Sequence, residues 1–279
     1  MSVVRDIPTN AVVLRTGGLG DFILTVPLLV SLAEMQGRVA VATRRQYYDV
    51  LGPYREKITF IEADDLLLSQ GGDGWDEKFR EATVFSFWKD SDGFLESQLK
   101  RFGVEAIVKM ESRPQGPRHF VEKTFQDAGI QWVEEFFYRS WLNHRNLHGN
   151  CLWVHPGSGS GSKNAPVSWF LHRIEDWLAQ GQGRVAFVSF GEADAEVEEQ
   201  FLLDGGALPL KYVRPDSLQE FSQLLVDEAA LFIGNDSGPA HLAASLGIPT
   251  EVVFVSTDPE IWRPLGEVVE VLRLDSRIN

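Results

Sequence analysis

Short apolar runs alternate with amphipathic patterns along the whole chain. The runs are rich in β-branched and aromatic residues, which is typical of buried strands in a parallel sheet, and the segments between them have a helical period. The predicted strands of the first half are residues 11–15, 38–43, 57–64, 81–88 and 104–110. Those of the second half include a run from Leu152 and residues 183–190, 208–213 and 227–234. This alternation predicts an α/β fold with helices on both faces of a parallel sheet.

Both halves of the chain open in the same way. VLRTGGLG, from Val13, and LWVHPGSG, from Leu152, are each a strand that runs into a glycine-rich loop. This repetition predicts two Rossmann-like parallel-sheet domains that face each other across a cleft. Residues 131–150 have no clear period and are interpreted as the connection, so the domains are predicted at residues 1–140 and 141–279.

The most informative stretch is LFIGNDSGPAHLAASLGIP, residues 231–249. A buried strand ends at Asn235-Asp236-Ser237, and a helix is predicted from Gly238 with Ser237 as its N-cap. A helix N-terminus at the carboxyl end of a strand is a ready anion site, and His241 in the first turn could donate to a phosphate oxygen. The alternative is an ordinary strand-to-helix junction with a solvated surface histidine.

The first glycine loop has the same layout. Gly17, Gly18 and Gly20 allow a tight turn and the close approach of a ligand, although their spacing is not the dinucleotide fingerprint. Asp21 then stands at the start of a predicted apolar helix that runs to Gly37. Its carboxylate either complements the helix dipole or is held for chemistry at the mouth of the sheet, and the residues alone favour the first interpretation.

Composition narrows the class of partner. The net charge of −14 argues against nucleic acid and against electrostatic docking on an anionic membrane. The single cysteine rules out a disulfide within the chain, and the absence of a long apolar run predicts a cytoplasmic protein without a membrane span. Within this acidic chain, Arg113, Arg118 and His119 follow the fifth strand and form a candidate site for an anionic acceptor, or are three scattered solvated cations.

Three ordered segments resemble the heptosyltransferases, which are family 9 of the GT-B glycosyltransferases. They are LRTGGLGDFILTVPLL, HPGSGSGSKNAPVSWF, and FIGNDSGPAHLAASLGIPT with STDPEIWRPLG. The resemblance implies a GT-B fold with the acceptor in the N-terminal domain and a nucleotide-sugar donor in the C-terminal one. It also implies an inverting, metal-independent transfer without a cofactor, usually from ADP-heptose to a lipopolysaccharide core sugar, with at most peripheral contact with the inner face of the membrane.

The resemblance also assigns roles to individual residues. Asp21 matches the family's proposed general base, and Lys163 matches the lysine that meets the donor phosphate. Glu192 falls where the family binds the ribose, with Asp194 as a rival. The remaining matches form the glycine loop after the second-half strand and the segment that holds the diphosphate and donor sugar: Gly157, Asp236, Ser237, Gly238 and His241.

Three other functions remain open on the sequence. A nucleotide-sugar-binding protein without transferase activity would use the same donor site, with Asp21 as a helix-start residue only. A GT-B nucleotide-sugar epimerase would need further acid and base groups. A nicotinamide dehydrogenase is disfavoured, because neither glycine loop has the fingerprint spacing.

Overall fold

The computed structural model describes residues 10–35, 37–68, 75–142, 149–206 and 208–274. The chain divides into two compact units, residues 1–134 and 135–279. Residues 135–142 pack within the second unit, where Trp141 is buried, the backbone N–H of Leu142 donates to the carbonyl of Ser245, and that of Gly266 donates to the carbonyl of Phe137. These contacts put the change of unit a few residues before the predicted boundary at residue 140.

The first unit is built on a five-stranded parallel sheet in the order β3-β2-β1-β4-β5. Its strands are β1 (Asn10–Leu14), β2 (Arg38–Thr43), β3 (Ile58–Glu62), β4 (Thr83–Ser86) and β5 (Ala106–Lys109). Its helices are α1 (Leu19–Ile23), α2 (Val26–Glu34), α3 (Arg45–Asp49), α4 (Ala63–Leu68), α5 (Trp75–Phe79), α6 (Phe94–Arg101) and α7 (Phe120–Ala128), with a 3₁₀ turn at Gly52–Glu56. The prediction of a parallel α/β sheet is confirmed.

A single helix was predicted after the first glycine loop. That prediction is wrong in its extent, because the structure divides the segment into α1 and α2. Pro27 lies in the first turn of α2, where its missing N–H costs nothing, and it could not continue α1 because it has no hydrogen to donate. The hydroxyl of Thr25 donates to the carbonyl of Asp21 at 2.8 Å. Asp21 therefore lies in a short helix of its own.

The second unit is built on a six-stranded parallel sheet in the order β11-β10-β9-β6-β7-β8. Its strands are β6 (Cys151–His155), β7 (Ala186–Ser189), β8 (Leu210–Val213), β9 (Ala229–Asn235), β10 (Thr250–Phe254) and β11 (Val269–Arg273). Its helices are α8 (Val167–Ala179), α9 (Ala195–Asp204), α10 (Leu218–Glu228), α11 (Gly238–Leu246) and α12 (Pro259–Trp262). Short 3₁₀ segments occur at Gly161–Lys163 and, across the change of unit, at Glu134–Tyr138.

The strand order places one switch point in each sheet. The first strand of each unit, β1 or β6, is flanked on one side by the strand next in sequence and on the other by a strand from later in the unit, β4 or β9. Connections leave the sheet in opposite directions at such a point, which opens a crevice at the carboxyl ends of the strands. Both glycine loops follow β1 and β6, so each begins at a switch point.

Candidate active site

Asp236 lies directly after β9 and joins three segments of the second unit. Its side chain is 4% exposed, and Lys163 from the loop after β6 donates to Oδ2 at 2.7 Å. The hydroxyl of Thr257, beyond β10, donates to the same oxygen at 2.6 Å. His241, in α11, brings Nε2 to 3.5 Å from Oδ1. Both carboxylate oxygens thus have side-chain partners, and the carboxylate holds the lysine and the histidine in place.

The charge of Asp236 is set by these neighbours. Burial on its own would raise the pKa of the carboxyl, but His241 and Lys163 outweigh it and lower the pKa to about 2. Asp236 is therefore ionised at neutral pH. The Lys163 side chain is 32% exposed, so part of it remains open to solvent.

The start of α11 contains two buried polar atoms without a partner. Ser237 is the N-cap residue, as predicted, but its hydroxyl does not bond to the helix. Ser237 Oγ and His241 Nδ1 are both screened from solvent, and neither has a hydrogen-bond partner among the described residues. The alternative of a solvated surface histidine is wrong, since His241 is 4% exposed. Buried polar atoms nearly always have partners, so these two atoms are exceptions that need a physical reason.

Asn235, which the sequence analysis treated only as the end of a strand, holds the second glycine loop. Its side chain is fully buried, its Nδ2 donates to the carbonyl of Pro156 at 2.6 Å, and its Oδ1 accepts the N–H of Ala165 at 2.9 Å. Within the loop, the hydroxyl of Ser158 donates to Asn164 Oδ1 at 2.6 Å. Both ends of the loop that carries Lys163 are thereby fixed to the end of β9. The signal available in the sequence was an amide directly after an apolar run, in the pattern NDSG.

Gly157 is packed directly against Asp194. A Cβ added at Gly157 would lie 2.0 Å from the Asp194 carboxyl carbon, so the close approach requires glycine. Asp194 accepts the N–H of Gly191 at 2.7 Å and lies 3.3 Å from His155 Nε2. Burial would raise the pKa of Asp194, but these two partners lower it on balance. Asp194 is therefore a buried carboxylate under the loop, while its rival Glu192 is exposed to solvent.

In the first unit, Asp21 is held by the glycine loop and by a buried arginine. The N–H of Gly18 donates to Oδ2 at 2.9 Å, and Arg15 Nη2 lies 3.0 Å from Oδ1. The arginine contact is an ion pair that is not directed as a hydrogen bond, since Nη2 has no hydrogen-bond acceptor among the described residues. The Asp21 side chain is 36% exposed. A Cβ at Gly17 would lie 2.3 Å from Asp21 Oδ2, so this position, like Gly157, has room only for glycine beside a carboxylate.

Arg15, which ends the first predicted strand, is a site residue that the sequence analysis missed. It is 3% exposed, and its guanidinium lies over the rings of Phe87 at 4.5 Å and Phe120 at 5.1 Å. Burial lowers the pKa of Arg15, and the charge of Asp21 opposes that effect. A buried cation needs a counter-ion, and Asp21 supplies it. A charged residue at the end of an otherwise apolar run was the available signal.

Residues 176–278, which contain Glu192, Asp236, Ser237, Gly238 and His241, match the model described as glycosyltransferase family 9 (heptosyltransferase). The matched residues all lie in the second unit.

Relatives by sequence match only parts of the chain. A Haemophilus influenzae protein named as a candidate glycosyltransferase is 29% identical over 128 residues, which cover 44% of this chain and 36% of that protein. The lipopolysaccharide heptosyltransferase 3 of Escherichia coli K12 is 49% identical over 43 residues, 15% of this chain and 12% of that protein. The chain thus aligns with less than half of the length of these relatives.

Solved structures of heptosyltransferases match nearly the whole chain. Escherichia coli heptosyltransferase WaaC with ADP has a TM-score of 0.68 at 14% identity, with 96% of this chain and 94% of that chain covered. The Escherichia coli ADP-heptose lipopolysaccharide heptosyltransferase II has a TM-score of 0.67 at 15% identity, with 96% and 91% covered. At such identities the similarity shows the fold, which is that of the GT-B heptosyltransferases.

The three candidate acceptor cations differ in burial. His119 is 3% exposed, is the N-cap of α7, and accepts the N–H of Val121 on Nδ1 at 3.2 Å, so it presents no proton there. Arg118 is exposed and lies 3.4 Å from Glu122. Arg113 is exposed in the loop before α7. The alternative of three solvated cations is therefore wrong for His119, which is a buried helix cap, and the acceptor site at these residues stays a prediction.

Two further observations concern metals and membranes. Among the described residues, no group of three or more His, Cys, Asp or Glu side chains is arranged to hold a metal ion. Every helix within the described ranges is too short or too polar to cross a membrane.

Proposed function

We propose that the second unit binds the diphosphate of a nucleotide sugar at the start of α11. The observation that carries this proposal is the pair of unpartnered buried atoms, Ser237 Oγ and His241 Nδ1, at a helix N-terminus. An unpartnered buried hydroxyl such as that of Ser237 is unfavourable by about 1–3 kcal/mol, and a phosphate oxygen that accepts its hydrogen would remove that penalty. His241 Nδ1 donates to a phosphate oxygen in the imidazolium form, in which both ring nitrogens carry a hydrogen. Lys163, held beside the helix start by Asp236, adds the positive charge that a diphosphate needs.

The proposed reaction is the transfer of the sugar with inversion at its anomeric carbon. Asp21 takes the proton of the acceptor hydroxyl as the acceptor oxygen attacks C1 of the donor. The new C1–O bond forms while the bond from C1 to the diphosphate oxygen breaks, and the nucleoside diphosphate leaves. Lys163, His241 and the free N–H groups of α11 stabilise the charge that develops on the diphosphate. This assignment places the acceptor in the first unit and the donor in the second, and it requires no metal or other cofactor.

For the substrates we propose ADP-heptose as donor and a lipopolysaccharide core sugar, or another surface glycan, as acceptor. Support comes from the names of the similar proteins, which include structures of heptosyltransferase WaaC with ADP and with ADP-2-deoxy-2-fluoro heptose. A glycolipid acceptor would bring the protein into peripheral contact with the inner face of the membrane. Glu192, exposed next to the glycine loop, is the proposed ligand of the ribose.

The donor assignment is tested by calorimetry with ADP, UDP and GDP, each in the presence of either EDTA or Mg²⁺. We expect ADP to bind in both conditions and the other two nucleotides to bind more weakly. Binding that disappears with EDTA would contradict the metal-independent mechanism. Failure of all three nucleotides to bind would contradict the donor site itself.

The catalytic assignment is tested by Asp21→Asn in a transfer assay with ADP-heptose. We expect turnover to fall by about 10²–10⁴-fold, the usual contribution of a general base, while ADP binds as before. Asp49→Asn is the matched control, because Asp49 is another partly exposed carboxylate of the first unit that lies near an arginine, Arg55, at 3.5 Å. Donor binding by the unmodified protein without transfer to any acceptor would favour the binding-only alternative.

A further inference from the structure

Asp194 contacts two loops that carry residues of the proposed donor site. One is the glycine loop after β6, which leads to Lys163, and the other follows β7 and carries Glu192. Asp194 directly precedes α9 and is buried, whereas Glu192 is exposed. Its carboxylate therefore meets both loops on the side that is closed to solvent.

The carboxylate of Asp194 closes the turn in which Glu192 lies. Asp194 Oδ2 accepts the N–H of Gly191 at 2.7 Å, and the backbone N–H of Asp194 donates to the carbonyl of Gly191 at 3.2 Å. These two bonds join the ends of the turn at residues 191–194, with Glu192 at its exposed centre. The buried carboxylate thus determines where its exposed neighbour is presented.

The same carboxylate packs into the glycine loop after β6. The backbone N–H of Ser158 hydrogen-bonds to it, and a Cβ added at Gly157 would lie 2.0 Å from its carboxyl carbon. Asn235 fixes the two ends of this loop, and Asp194 fixes its backbone between those ends. Burial raises the pKa of Asp194, but its hydrogen bonds outweigh that effect and lower the pKa on balance, so the group is ionised at neutral pH.

His155, the last residue of β6, orients this carboxylate. Its Nε2 lies 3.3 Å from Asp194 Oδ2, and its Nδ1 lies 3.0 Å from the hydroxyl of Ser189. A carboxylate only accepts hydrogen bonds, so Nε2 carries the hydrogen, and in the neutral ring Nδ1 then accepts the hydroxyl of Ser189. Ser189 in turn accepts the indole N–H of Trp153 at 2.8 Å. A directed chain of hydrogen bonds therefore runs from the buried sheet to Asp194.

We propose that Asp194 is a positioning residue of the donor site, which holds the glycine loop that leads to Lys163 and the turn that presents Glu192 in one fixed arrangement. The role rests on the proposed function, because Lys163 and Glu192 are assigned there to the diphosphate and the ribose. Asp194 acts through these two residues and does not itself touch the donor, which replaces the alternative of Asp194 as the ribose ligand. Displacement of its carboxylate moves both loops together.

The binding test compares Asp194→Asn with Glu192→Ala, using ADP and inorganic pyrophosphate, which has no ribose. Three N–H groups converge on Asp194, and the single oxygen of an amide accepts at most two of them. We expect Asp194→Asn to weaken the binding of both ligands by about five- to tenfold in calorimetry, and Glu192→Ala to weaken that of ADP alone. Removal of a negative charge by itself would strengthen the binding of an anion, so weaker binding reports the displaced loops.

Two variants of His155 test the orientation of the carboxylate. The amide of His155→Gln places an N–H near the position of Nε2, whereas the shorter amide of His155→Asn reaches only the position of Nδ1. We expect the glutamine variant to bind pyrophosphate as the unmodified protein does, and the asparagine variant to bind it about three- to fivefold more weakly. Equal affinities of the two variants would contradict the role of His155.

Hydrogen exchange followed by mass spectrometry measures the two loops without any ligand. Peptides that cover residues 156–165 and 190–194 should exchange faster in Asp194→Asn than in the unmodified protein. A peptide from the interior of α8 is the internal control and should exchange at the same rate in both. Circular dichroism of each variant checks that it is folded.

Separate results decide the two proposals. Unchanged exchange in either loop, or faster exchange with unchanged binding of both ligands, would overturn the positioning role even if ADP binds the second unit. A loss of affinity in Asp194→Asn for ADP but not for pyrophosphate would also overturn it, in favour of a ribose ligand. An unmodified protein that binds neither ligand would contradict the donor site and, with it, the positioning role.

Discussion

The substitution Asp236→Asn tests the central electrostatic claim about the second unit. Asp236 has an ordinary carboxyl pKa of 3.8 when unfolded and a pKa of about 2 in the folded protein, where it is 4% exposed. The difference corresponds to about 2 kcal/mol of folding free energy at neutral pH. Because the folded pKa is the lower one, this stabilisation is complete above about pH 4 and is lost as the pH falls towards 2.

Asparagine keeps the shape of the side chain and removes its charge. We expect Asp236→Asn to lower the free energy of unfolding by about 2 kcal/mol at pH 7. At pH 3 the difference in unfolding free energy between the variant and the unmodified protein should be about half as large. Urea unfolding followed by circular dichroism at the two pH values measures both quantities.

The matched control is Asp258→Asn. Asp258 is 49% exposed and lies 2.8 Å from Arg273, which is 60% exposed, and asparagine can still cap α12 in its place. Such surface pairs contribute about 0–1 kcal/mol, so the control should change stability little at either pH. Two results would refute the assignment of an ion pair between Asp236 and its partners Lys163 and His241. One is a loss of unfolding free energy in Asp236→Asn that is no larger than in the control, and the other is a loss that is equal at pH 7 and pH 3.

Three further predictions test the two glycine loops. Gly17→Ala should reduce turnover by up to about 100-fold, because its Cβ would displace the Asp21 carboxylate. Gly18→Ala is the control and should have little effect, since its Cβ would lie 3.9 Å from that carboxylate. Equal kinetics for the two variants would contradict a positioned base. Lys163→Ala should weaken ADP binding in calorimetry by about 1.5–3 kcal/mol, and an unchanged dissociation constant would remove Lys163 from the donor site. Asn235→Ala should destabilise the protein by about 2–4 kcal/mol in urea unfolding, because it leaves two buried backbone groups of the loop unpaired. A change below about 0.5 kcal/mol would show that the loop does not depend on this amide.

The strands and helix boundaries were largely predictable because they depend on near neighbours in the chain. β2 has the predicted bounds, residues 38–43, and α11 begins at Gly238 and ends at Leu246 before Gly247, which has a φ of +92° that favours glycine. The division between α1 and α2 was also available in principle, since Pro27 stood in the predicted helix. The two glycine loops were recognised from their local composition alone.

The partners of the polar side chains were decided by the tertiary structure. Sheet order places β6 beside β9, so that Lys163 reaches Asp236, 73 residues away, and Asn235 reaches Pro156, 79 residues away. The same packing buried Asp194 and left Glu192 exposed, although the two are separated by a single residue. Periodicity determines which residues form an element, because that depends on contacts within a few positions. Which carboxylate is paired, buried or free depends on strands that meet only after the sheet has formed, and no local pattern contains that information.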